Sequence, residues 1–126
     1  MAILQPRYLD LIVAGRKSIE ARLTRTLRAP IGAVRSGDWI HLKASGGPIA
    51  VTMRVARVME LHALTPAAVA ALRGEFNDEI LAPRSWWRQR STCRYAILMW
   101  LRQSRSDFAP PPHVPRQYGA GWLILT

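Results

Sequence analysis

One short stretch concentrates polar function. Gly15-Arg16-Lys17-Ser18-Ile19-Glu20-Ala21-Arg22-Leu23 holds a lysine, a hydroxyl, a carboxylate and two arginines. Side chains alternate along a strand with period two. An extended chain therefore puts Ser18, Glu20 and Arg22 on one face, and Ile19, Ala21 and Leu23 on the core face. Lys17 falls at the turn into that strand, where Gly15 frees the backbone. The set suits a polar planar ligand. Arg22 can hold a phosphate or carboxylate through two parallel N–H bonds, with Arg16 as a second cation. Glu20 can accept from an exocyclic amine or orient Lys17. A partly desolvated Lys17 is a candidate base or nucleophile. The plainer alternative is a solvated strand face carrying a Glu20–Arg22 or Lys17–Glu20 ion pair.

A second constellation runs from Arg84 to Arg94 and interleaves arginines with Trp86 and Trp87. Indole faces stack on bases, and the guanidinium groups of Arg88 and Arg90 suit phosphates. Two adjacent tryptophans cannot both point inward from a strand, so one is expected at the surface. The alternative is that both cap a barrel opening. Glu75, Asp78 and Glu79 form an acidic cluster at helical spacing. Glu75 could supply a general base there, or the cluster could be ordinary surface pairing.

Other chemistries find little support. His41, His62 and His113 have no metal-ligand spacing, so neither a metal nor a cofactor is expected. His41 is expected to face outward from its strand. Cys93 is the sole cysteine, which excludes an internal disulfide and a cysteine-cluster metal site, and it reads as a buried thiol. No apolar run approaches the ~20 residues of a membrane span. Met1 to Pro6 lacks a basic stretch followed by an apolar one, so no secretory signal and a cytoplasmic setting are expected. With 18 Lys+Arg against 8 Asp+Glu, the formal charge of +10 points to a polyanionic partner, most often nucleic acid. A GC-rich genome would explain arginine in place of lysine but not the excess over acids.

The elements that must position these residues follow from punctuation and periodicity. At 126 residues, one domain over the whole chain is expected. Gln5-Pro6 opens a helix with Tyr8, Leu9, Ile12 and Val13 as its buried stripe, and Gly15 ends it. Ile19–Thr24 and Trp39–Ala44 have strand character. Ile49, Val51, Met53 and Val55 alternate with polar residues, and the pattern shifts near Ala56-Arg57-Val58, as at a bulge. Thr65-Pro66 starts a second helix with Val69, Leu72 and Phe76 at helical spacing. Tyr95 to Leu101 is apolar on both faces, which indicates a central strand. Residues 104–121 are rich in proline and read as an extended loop, leading to a C-terminal strand over Trp122–Leu125. The sum is a mostly β (α+β) chain. About five or six strands form a small antiparallel barrel, with two or three flanking helices.

Gln5-Pro6, then Gly15, Lys17, Glu20 and Arg22 as Gly-x-Lys-x-x-Glu-x-Arg, then Gly37-Asp38, resembles the ASCH domain of the PUA-like superfamily. The resemblance spans roughly residues 1–103. It implies a small β-barrel with a cleft lined by the Lys/Glu/Arg motif, and RNA or a modified nucleoside as partner. Some small ASCH proteins hydrolyse the acetyl amide of N4-acetylcytidine with a lysine, a threonine and a downstream glutamate, and some are linked to ribonuclease activity. On this chain the lysine is Lys17. Glu20 stands at the threonine position, Ser18 is a neighbouring hydroxyl, and the downstream acid falls near Glu75 or Asp78. Three readings follow: an RNA-binding domain, an RNA- or nucleoside-directed hydrolase, and a protein-interaction module.

Overall fold

The computed structural model describes residues 2–103. The expected loop over 104–121 and the strand after it lie outside those residues. Five strands and three helices follow one another as β1 (Ala2–Leu4), α1 (Pro6–Val13), β2 (Ile19–Thr24), β3 (Trp39–Ala44), β4 (Ile49–Leu61), α2 (Pro66–Ile80), α3 (Arg84–Gln89) and β5 (Tyr95–Gln103). The strands form one sheet in the order β1-β3-β4-β5-β2. This is the expected mostly β architecture, as a half-barrel. It departs from pure antiparallel pairing in one place, because β1 runs parallel to β3. Three residues are too few to show alternation, so β1 leaves no pattern in the sequence.

β4 carries the curvature. Its first half pairs with β3 and its second half with β5. The β4–β5 register shifts between Val55 and Arg57, where the sequence pattern breaks. An extra residue there bends the strand and lets the sheet curl.

β5 sits between β4 and β2, which explains its two apolar faces. Ile97, Met99 and Leu101 join a core with Leu9 and Ile12 of α1 and Ile40 and Leu42 of β3. Ala96 and Leu98 join a second core with Val69 and Leu72 of α2 and Trp87 of α3. Ile19, Ala21 and Leu23 of β2 point into that second core. Glu20 and Arg22 are thereby committed to the opposite face.

The helices follow local chemistry. Pro6 occupies the start of α1, and Gly15 adopts φ +75° beyond its end. Leu9 and Ile12 are buried, Tyr8 is half-buried, and Val13 is 47% exposed at the flank of the stripe. Thr65 Oγ1 accepts from the Ala68 amide and caps α2, which runs through Gly74. Helix α3 has only 6 residues, under two turns, too few to display a helical period in the sequence. His41 is buried rather than outward-facing. It pairs with Thr52 on β4, whose hydroxyl lies 2.7 Å from the ring Nδ1. A cross-strand polar partner lets an imidazole sit where alternation alone predicts exposure.

Leu98 is fully buried between β5 and the α2–α3 layer. Leu98→Ala should cost ~2–5 kcal/mol of stability, read as a lower urea midpoint. A change below about 0.5 kcal/mol would place the core elsewhere.

Candidate functional site

Among the described residues the sheet does not close on itself. β1 and β2 are its two edges, and they face each other across a seam bridged by a side chain. Arg22 Nη2, from β2, donates to the Ile3 carbonyl of β1 at 3.2 Å. Arg22 Nε lies 3.4 Å from Glu20 Oε1. Residues of opposite sign two apart on a strand share a face, so this pairing follows directly from the sequence. The pair is not solvated: the Glu20 side chain is only 8% exposed and that of Arg22 20%. Glu20 Oε2 is buried with no hydrogen-bond partner among the described residues.

The seam holds a cleft of about 280 Å³. Ile3 and Leu4 form one wall, and the β2 face from Glu20 to Thr24 forms the other. Tyr8 of α1, Arg28, and Trp86 and Arg90 from the α3 region also line it. The cleft is close in size to the smallest sites that hold small organic ligands.

Lys17 and Ser18 stand just ahead of β2 and turn towards α2. The Lys17 ammonium donates to the Ile80 carbonyl, the last residue of α2. The Ser18 amide donates to the Glu79 carbonyl at 3.2 Å, and Ser18 Oγ to Glu79 Oε2 at 3.2 Å. Terminal helix carbonyls lack intrahelical donors, and a cation there also complements the helix dipole. Lys17 is buried and stacks its charge towards Tyr8, with Nζ 5.7 Å from the ring centroid. Burial pushes its pKa down. The Glu20 charge opposes that shift, and Arg22 adds to it. Lys17 and Ser18 are not among the residues lining the cleft.

The two tryptophans separate. Trp87 is buried, and its Nε1 donates to Asn77 Oδ1 at 2.9 Å. The same Asn77 amide group bridges the Ala82 backbone and fixes the α2–α3 connection. Trp86 is half-buried and reaches the cleft. Arg90 stacks on it, 4.2 Å from the ring centroid, and donates to the Trp86 carbonyl.

Of the remaining expected site residues, Arg16 is exposed on the turn after α1. Arg88 lies with Arg84 around a separate groove between α2 and α3. Glu75 is exposed on α2, and Glu79 is the member of its cluster that contacts the motif. Among the described residues no group of His, Cys, Asp and Glu could hold a metal, and no helix is long and apolar enough to cross a membrane. Tyr8 and Arg28 are cleft residues that the motif spacing does not point to. The helical stripe predicts Tyr8 in the core, and its place on the helix preceding the motif is the available clue.

The sequence matches the ASCH domain family over residues 3–92. Among solved structures, ASCH from Zymomonas mobilis is similar with a TM-score of 0.60 at 18% identity, covering 94% of this chain and 86% of that one. A point mutant of ZmASCH from the same organism gives 0.61 at 17% identity, over 94% and 88%. A hypothetical protein, PH0355, gives 0.54 at 21% identity, over 79% and 93%. These likenesses bear on the fold. No curated protein matches the sequence.

The lowered Lys17 pKa sets a pH dependence with a definite sign. The unfolded chain keeps this proton up to the ordinary value of 10.5, and the folded chain releases it earlier. The unfolded state then binds more protons, so stability rises with pH across the window ending at 10.5. Lys17→Met removes that contribution. Denaturant midpoints at neutral and alkaline pH should show the wild-type advantage over the variant growing as pH rises. An advantage that shrinks would contradict the burial of this ammonium.

Proposed function

We propose that this chain, which belongs to the ASCH domain family, binds single-stranded RNA by taking an unstacked base into the seam of its half-barrel. One observation carries the reading. A buried carboxylate oxygen with no hydrogen-bond partner among the described residues, Glu20 Oε2, sits in a cleft that also presents Trp86 and the guanidinium groups of Arg22, Arg28 and Arg90. A buried acceptor left unmet is costly, and a base offers the ring or exocyclic N–H that would meet it. The Trp86 indole supplies a stacking face, and the arginines supply charge for the phosphates.

A hydrolytic reading needs a group within reach of the bound ligand. Lys17 is the activated candidate by virtue of its lowered pKa. Its ammonium is engaged by the Ile80 carbonyl, and Lys17 does not line the cleft. Ser18 Oγ is likewise engaged by Glu79. Binding is therefore the reading that the geometry favours over turnover of an acetylated nucleoside or of RNA.

Binding of a labelled oligoribonucleotide should weaken steeply as salt rises, with a log–log slope near −0.7 for each phosphate engaged. Trp86→Ala should weaken it at least about fivefold, since stacking is worth ~1–3 kcal/mol per base. Trp87→Phe should lower thermal stability and leave affinity unchanged. Salt-independent binding, or equal losses from both tryptophan variants, would sink the proposal.

A further inference from the structure

Past Thr24 the cleft continues into a second pocket of about 340 Å³. The two share Leu23, Thr24, Arg28 and Arg90, so they are neighbouring parts of one groove. Arg25 is the third guanidinium of the second pocket, and among the described residues no carboxylate lines it. Arg25 is fixed by neutral acceptors. Its Nε and Nη2 donate to Thr92 Oγ1 at 3.2 and 3.0 Å, and Nη2 reaches the Gln89 carbonyl at 3.5 Å. Arg90 Nη1 is fixed in the same way by the Trp86 carbonyl at 3.1 Å. These bonds orient the cations without neutralising them. Cys93 also lines the pocket. Burial pushes its thiol pKa up, against the pull of Arg25, Arg90 and Arg28, so it supplies no counter-charge. Three like charges gathered around one recess raise each other's energy, and an anion bound between them relieves it.

We propose that this pocket is a phosphate subsite, formed by Arg25, Arg28 and Arg90, that holds the backbone phosphate of the nucleotide whose base enters the cleft. It rests on the reading of the cleft as an RNA site. The shared wall makes the two sites adjacent, and Arg28 and Arg90 line both. The base site selects an N–H-bearing planar group, and this subsite selects its charged neighbour.

The test compares wild type with a combined Arg25→Gln and Arg28→Gln variant on a labelled single-stranded hexaribonucleotide across a salt series. The variant should bind about tenfold more weakly. Its salt slope should fall by roughly 0.7 for the lost phosphate contact. Arg28→Gln alone, at an exposed position, should shift both quantities the same way without loss of folding. A paired Arg84→Gln and Arg88→Gln variant, in the other groove, should bind as wild type does. If wild type binds RNA and the Arg25/Arg28 variant keeps its affinity and slope, the subsite is overturned while the RNA reading stands. Equal losses in the Arg84/Arg88 variant would mean diffuse attraction and also overturn it. If wild type binds no RNA, the RNA reading falls, and titration with inorganic phosphate followed by phosphorus NMR decides the subsite. Binding by wild type and not by the Arg25/Arg28 variant supports it, and no binding by either overturns it.

Discussion

The seam between β1 and β2 is the constraint on which the rest depends. Strand edges expose unpaired N–H and C=O groups, and a closed barrel removes them by backbone pairing. Here Arg22 reaches across from β2 to the Ile3 carbonyl instead. A guanidinium is longer than a backbone hydrogen bond, so bridging with a side chain holds the edges apart and leaves a cleft between them. Glu20 then serves as the partner that makes a half-buried Arg22 tolerable. A buried pair of this kind is a poor stability device against an apolar alternative, because desolvating both charges offsets much of their attraction. Its value here is geometric, since it creates a polar floor under an open seam.

Helix α3 decides which charges face that floor. Neighbouring residues on a helix point about 100° apart, while residues four apart lie on one side. Trp86 and Arg90 therefore go together, and Arg84 and Arg88 go together on another face. The structure follows this division. Trp86 and Arg90 line the cleft, whereas Arg84 and Arg88 surround the α2–α3 groove. Trp87 falls between, turns inward and is pinned by Asn77. Asn77 does two jobs at once, accepting from the indole and bridging the Ala82 backbone. Core packing of Trp87 and this one amide together orient the short helix beside the cleft.

Features governed by local chemistry were legible in the sequence. The Thr65 cap, the β4 bulge, the doubly apolar β5 and the common face of Glu20 and Arg22 each follow from neighbours a few residues away. The strand spacing puts Glu20 and Arg22 together on the wall of one cleft, but it does not reveal where Lys17 and Ser18 turn. Lys17 meets a carbonyl 63 positions along the chain, and Ser18 a carboxylate 61 positions along. Nothing in a strand pattern reveals that α2 will end beside them. His41 was misjudged for a related reason: alternation reports on one strand, and the Thr52 hydroxyl that accommodates the ring belongs to another. The short elements β1 and α3 carry too few residues to show a period at all.

The distribution of charge along the groove has a further consequence. A carboxylate sits on its floor, while Arg28 and Arg90 stand where the cleft meets the second pocket. Burial lowers the pKa of Arg90, with Arg22 as a contributing like charge, so this guanidinium is held at a cost to the free protein. A bare anion entering the cleft would meet Glu20, and a bare amine would meet the arginines. Neither matches the whole groove. A ligand that is neutral with N–H donors at one end and anionic at the other satisfies both regions in a single orientation. A nucleotide within an unpaired strand has that polarity, and under the proposed reading its base would face Glu20 and Trp86 and its phosphate the arginines. The same asymmetry disfavours a stacked duplex, whose base edges are already paired and whose phosphates alone would reach the surface.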